Sequence, residues 1–592
     1  AVQPPIIPNP ITLRGDAGFT GGSDVTFSGA LALAPTGAVS GGSVTRTLTF
    51  NNTTGLTFLS GGVSLGGADS AFLIKAGAGP VVFSGAQVPG MLRLDAGAAV
   101  INGDANFPVD GAIVFNAGTV AVPNAVSAQP LYRHSLAGIT VAPVVTTNRD
   151  YLFQGAGTFD VGAGIALVQG TGVMNGSGIL NKNGAGVLVL NGAANAMAQV
   201  QVNAGVLSAS NNAQLGDTTA NSALLITSGA AFYANGSFAS PRAINSTSNL
   251  SGTIDVAAGQ TFTSTGAISL GTGLFTKAGP GTMVALGTNT QTTLAISGGG
   301  TFASYVAQPF AAAATITLNG GALRLMANLS AQATNVQATT LTMNGAGVVQ
   351  VEDSPFTQTR LTLTNLNRAN YGTLVLNGVN GRMGVGLTSG GEIVIPTNIF
   401  GVAAASAPVA GVGALPASIL VTGGTSPVAS FSSVNVSNSV INRYAGATLS
   451  GFGGATSTSI VDVSAPQTLS GSASVFGVRT AADVTGGTLN IDSSSNLQMG
   501  GLIINGAGSA APVIGSNLVF AQSGQAGTVM PEALVYVSGG YTSGTATVSG
   551  DVTSGVLTKF GPGDLYLSGR LGVVSVLAQQ GAVRFAPGAT IY

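Results

Sequence analysis

Four segments of this chain share one frame, a lysine followed by glycine two, four and ten positions later. They run Lys75–Gly85, Lys182–Gly192, Lys277–Gly287 and Lys559–Gly569, and these are the only four lysines in the 592 residues. Some 22 residues beyond each lysine another glycine stands in a short apolar run: Gly97, Gly205, Gly299 and Gly581. A lysine locked to glycines in this way is not a random surface charge.

Read physically, the frame is strand, tight turn, strand. Val556-Leu557-Thr558 leads into Lys559, Gly561-Pro562-Gly563 supplies the turn, and Asp564-Leu565-Tyr566-Leu567 alternates polar and bulky residues with a period of two. The turn glycines give access to positive φ or close backbone approach, which a Cβ resists. Val576 to Phe585 repeats the plan around Gly581. One unit of about 30 residues therefore holds three or four short strands and no helix, and buries an apolar face only when copies stack.

The frame resembles the autotransporter-associated β-strand repeat of bacterial passenger domains and large surface proteins. The likeness is specific at the four lysine frames. It extends more loosely to Ile316–Leu325, Leu361–Leu374 and Thr485–Ile491. The resemblance implies an all-β fold, a right-handed parallel β-helix (β-solenoid), outside a Gram-negative-type cell. It implies no catalytic residues, since the family carries none as a class. Such passengers usually continue into an outer-membrane barrel, and the last residues read here still follow the repeat pattern, so the chain is expected to be released from a barrel or to be a stand-alone relative.

Composition fits. Glycine, at 90 residues, lacks a strict period of three, which excludes collagen, and 45% apolar residues argue against disorder. Charge is depleted to 6%, where about 25% is usual. Net charge of −1 leaves no basic face for nucleic acid and little repulsion between copies. No cysteine means no disulfide, thiol catalysis or thiolate metal site. The start, Ala1-Val2-Gln3-Pro4-Pro5, reads as the end left after signal-peptide removal. No transmembrane segment is expected: Phe400 to Val421 is uncharged, but Pro408, Pro416 and several glycines interrupt it.

Along the chain, residues 1–12 carry four prolines among Ile6, Ile7 and Ile11, which predicts an extended Pro-rich arm, either loose or laid on a neighbouring copy. Residues 13–592 read as one solenoid of degenerate repeats. Irregular excursions are expected at about 123–153, where Tyr132-Arg133-His134 and Thr147 to Tyr151 break the pattern, and at about 401–417. Coils of about 20–25 residues would give roughly 25 of them and a rod on the order of 120 Å long. Neither tip shows a charged cap, and open strand edges pair with other strands unless covered.

Little chemistry stands out. His134 is the lone histidine, too few for most histidine-built sites. Glu352-Asp353, with Arg360 nearby, is the one adjacent acid pair and reads as a solvated turn. Asp104 and Asp110 could offer oxygens to calcium, but the alternating Asp-x-Asp loop is missing. The lysines are expected to run their stems along a coil and place the ammonium at a turn carbonyl or in water. No catalytic, metal or cofactor residue is therefore assigned. The reading is a secreted, non-enzymatic surface protein, a homo-oligomer or polymer joined through solenoid ends and arm. Its rivals are a monomeric adhesin or rod that binds a cell-surface glycan and, more weakly, a polysaccharide lyase or hydrolase.

Overall fold

The computed structural model describes residues 5–589 except 36–42, 66–69, 86–89, 107–110, 123–131, 134–139, 218–221, 247–250, 327–333, 353–358, 380–391, 424–428, 436–439, 522–530 and a few isolated positions. His134, Asp110 and Asp353 lie outside the described residues. The chain is nearly all β, with parallel strands stacked into a β-solenoid of about 20 turns. It divides into two compact units, residues 1–291 and 292–592.

In the first unit the ladder strands pair in parallel with the strands one turn away. Val144, Ala166, Val187, Val206, Ala231 and Thr253 occupy successive rungs of one ladder, 19 to 25 residues apart. A second ladder runs through Ser43–Phe50, Ser70–Ala76, Gly90–Leu94, Ile113–Phe115 and Tyr151–Phe153. The period-two pattern decides what faces inward. In Ser43–Phe50, Val44, Leu48 and Phe50 are buried while Ser43 and Thr45 are exposed. Parallel register then stacks like on like. Phe115 pairs with Phe153 in register, and their rings lie 4.9 Å apart, the spacing of neighbouring strands.

The proline-rich start is extended, and it lies within these ladders. Ile6–Ile7 pairs with Thr26 and Phe27, and Ile11–Leu13 pairs with Leu31–Leu33, both in parallel. Pro8 and Pro10 fall between the two short strands, where no ladder N–H is needed. The isoleucines thus have partners inside the chain. The first excursion is also narrower than expected: Val144–Thr147 and Tyr151–Phe153 are ladder strands, and Tyr132–Arg133 pairs antiparallel with Thr140–Val141.

The second unit opens with ladders of the same kind, among them Thr315–Asn319, Thr334–Met343 and Thr359–Arg368. Parallel stacking then gives way to hairpins. Ile419–Gly423 pairs antiparallel with Ser430–Asn435, which pairs antiparallel with Val440–Arg443. From Ile460 onward a column of three ladders forms, one strand of each per turn, around a core that includes Val478, Leu489, Ile504, Leu518 and Leu565. Within 401–417, Val402–Ala403 is a short strand antiparallel to Asn398–Ile399, and several residues after it are turned inward. Val409, Val412, Ala414 and Ala417 pack with Leu534, Tyr536 and Phe560 of the three-ladder column. Hairpins and excursions use residues without adding a turn, so about 20 turns form where roughly 25 were expected.

The three-ladder column lies against the flank of the strands that precede it. Arg368, at the end of Thr359–Arg368, meets Glu532 in a two-pronged ion pair of 2.9 and 2.6 Å, both side chains almost fully buried. Gln579 Nε2 donates to the Tyr371 carbonyl at 2.7 Å, and Thr373 Oγ1 donates to Gln579 Oε1 at 2.6 Å.

Candidate functional site

The four lysines are the most unusual groups in the core, each with no exposed surface at all. Their neighbours in register are mostly apolar. Lys75 lies between Leu48 and Leu94, Lys182 between Phe159 and Val202, Lys277 beside Ile254, and Lys559 between Val535 and Ala578. The stem therefore fills an inward position of a hydrophobic stack, and only the ammonium needs polar company.

That company is backbone carbonyl. Lys75 Nζ donates to Gly77 at 2.6 Å and to Ala96 at 2.7 Å. Lys182 Nζ donates to Asn183 and Gly184 at 2.7 Å each and to Ala204 at 3.1 Å. Lys277 Nζ donates to Ala278 at 2.6 Å and Gly279 at 2.9 Å. Lys559 Nζ donates to Gly561 at 2.6 Å, to Gln580 at 2.5 Å and to Gly563. In three frames the ammonium thus clips its own turn to the turn about 21 residues later.

The glycine spacing follows from this geometry. The glycine two places after each lysine (Gly77, Gly184, Gly279, Gly561) has φ of +72° to +82°, which aims its carbonyl back at the ammonium. The glycine about 22 places on is left-handed as well, with φ of +65° at Gly97 and +68° at Gly581. A Cβ at Gly97 would lie 2.5 Å from Lys75 Nζ, so the clip itself excludes a side chain there.

Burial pushes the ammonium groups down, to about 8 at Lys75, Lys277 and Lys559 and about 7 at Lys182. Asp160 opposes this at Lys182 and Asp255 at Lys277. Burial in turn pushes the Asp255 carboxyl up to about 6, with Lys277 pulling the other way. A perturbed amine in a cleft would suggest a nucleophile, but these amines have no exposed surface.

Buried arginines are treated alike. Arg242, 2% exposed, donates to the Gly216 and Ser222 carbonyls at 2.9 and 3.2 Å and to Asn212 Oδ1 at 3.2 Å. Arg46 donates to the Thr45 and Arg14 carbonyls at 2.8 and 3.1 Å. Acids named from the sequence are likewise tied up. Glu352 takes the Arg324 guanidinium and the Gln350 amide. Asp104 pairs with Arg149 at 3.2 Å. Among the described residues no group of three or more His, Cys, Asp or Glu is placed to hold a metal ion. Nor is any of their helices long and apolar enough to cross a membrane.

The Arg368–Glu532 pair had no signal in the sequence, because its members are 164 residues apart and belong to no repeat. Compared with protein families, with curated proteins and with solved structures, the chain matches none. The β-solenoid therefore stands on the coordinates alone, and its fold fits a structural or adhesin-like rod.

Proposed function

We propose that this protein is a non-enzymatic structural column of a bacterial cell exterior, secreted and built to associate with copies of itself. The observation that carries this reading is where its few charges go. Lys75, Lys182 and Lys559 are clips between turns, Lys277 binds carbonyls of its own turn, Arg46 and Arg242 bind carbonyls, and Arg93, Arg149, Arg324, Arg368 and Arg584 pair with acids. Ionic chemistry is used to hold the scaffold, while outward ladder positions include Ser43, Thr45 and Asn517. Such a neutral, hydroxyl- and amide-rich face carries little charge repulsion against a second copy.

A monomeric glycan-binding rod is the second reading, favoured by the amide ladder Asn319–Asn344–Asn370, whose rungs are 2.8 and 2.7 Å. Electron microscopy of the purified chain with light scattering separates the two. Fibres or sheets, with mass growing with concentration, support association; a particle that stays at 57.6 kDa at every concentration overturns it.

A further inference from the structure

The first unit holds a cavity of about 450 Å³ beside strand Ala17–Phe19, with apolar walls from Ile7, Phe19, Val25 and Phe27. Phe19 pairs in register with Phe50, which stacks on its ring at 4.9 Å, and Phe27 meets that ring edge-on at 5.2 Å. Two polar side chains share this apolar space. Thr57 has no exposed surface, lines the cavity, and carries a hydroxyl with no hydrogen-bond partner among the described residues. Asp24 is the one charged side chain among the described residues of the lining. Its Oδ1 accepts from the Leu56 N–H at 2.7 Å, while Val25 is in register with Thr57. The carboxylate is thus held one ladder position from the unpaired hydroxyl. Asn52 fixes the arrangement, donating to the Ser23 carbonyl at 2.7 Å and accepting from the Gly55 N–H at 2.9 Å.

A buried hydroxyl is ordinarily hydrogen-bonded, so one left alone in a cavity wall marks a place where a ligand supplies the missing partner. The volume falls within the range of small-ligand pockets, about 300–1,000 Å³. The Asp24 charge disfavours an anion there and favours a cation.

We propose that this cavity is a binding site for a small primary amine with an apolar body. An ammonium brings three donors and no acceptor, and the Asp24 carboxylate and the Thr57 hydroxyl both accept. The charge-assisted bond to Asp24 is the stronger of the two. Ile7, Val25 and Phe27 offer the apolar body a wall, and aromatic faces such as that of Phe19 attract a cation. The site goes beyond the structural role and does not depend on association between copies.

Isothermal titration of the full chain at neutral pH with phenethylamine, phenylethanol and phenylpropionate tests it, since the three share a ring and differ in charge. The amine should bind about tenfold more tightly than the alcohol, and the carboxylate most weakly of the three. Asp24→Asn keeps an acceptor for the Leu56 N–H and should cut the amine's advantage over the alcohol to about threefold or less. Thr57→Val removes the unpartnered hydroxyl and should weaken the amine several-fold without lowering the melting temperature. An amine that binds no more tightly than the alcohol would overturn the proposal. So would Asp24→Asn and Thr57→Val proteins that melt like the parent and bind the amine with unchanged affinity.

Discussion

The Lys75 ammonium donates to the carbonyl of Ala96, one turn further along the chain, at 2.7 Å. A cation with no exposed surface thereby becomes a tether between two coils, and the same contact recurs between Lys182 and Ala204 and between Lys559 and Gln580. The carbonyls of the cage are buried or part-buried acceptors, and the ammonium satisfies several at once.

Replacing Lys75 with Met keeps the apolar stem and removes the donors. Two turns are left with unpaired carbonyls, at about 1–3 kcal/mol for each buried group. Relief of the ammonium's own burial offsets part of this. The expected outcome is a net loss of about 2 kcal/mol, read as lost amide-exchange protection confined to strands Ser70–Ala76 and Gly90–Leu94. Protection equal to that of the parent would remove the clip from the account.

Gly97→Ala places a methyl against the Lys75 ammonium at a residue with φ of +65°. A cost of at least about 1 kcal/mol is expected from the backbone alone. Gly103→Ala serves as the control, since a Cβ there meets nothing within 4 Å. Its effect should stay within about 0.5 kcal/mol. Comparable melting of the two variants would contradict the steric argument.

Asp255 gives the first unit a pH signature. Its carboxyl is raised to about 6 from 3.8, chiefly by burial. Between those values the folded chain holds the proton more tightly than the unfolded one. This contribution to stability is therefore full below about 4 and is lost as pH rises through about 6. Other carboxylates change over the same range, so the readout is a difference: the melting temperature of the parent relative to Asp255→Asn should rise on going from pH 7 to pH 4. A difference independent of pH would show that Asp255 titrates normally.

The Arg368–Glu532 pair holds the three-ladder column to the strands beside it. Removing one partner leaves a buried charge without its counterion, at about 3–5 kcal/mol, whereas an apolar pair of similar volume is often tolerated. Glu532→Ala should therefore destabilise the second unit strongly, and Arg368→Met with Glu532→Leu much less. Denaturant midpoints of both proteins decide it, and a double variant as weak as the single one would count against desolvation as the cause.

Much of this was legible in the sequence because a solenoid repeats its physics. Lysine, glycine two places on and glycine about 22 places on form a signature, since one ammonium meets the turns of two successive coils. Alternation in Val44 to Phe50 similarly announces which face is buried. What was hidden breaks the period. The prolines around Ile6 and Ile11 mask two short ladder strands, because proline is compatible with the gap between them. Tyr151 reads as part of an aromatic, charged excursion, yet it is 1% exposed and hydrogen-bonded to Thr147.

Competitive acetylation with an amine-reactive ester, read by mass spectrometry on folded and on denatured protein, tests the central claim most directly. The account predicts that Lys75, Lys182, Lys277 and Lys559 all stay unmodified in the folded chain and all react once it is unfolded. Rapid modification of any of the four in the folded protein would contradict it.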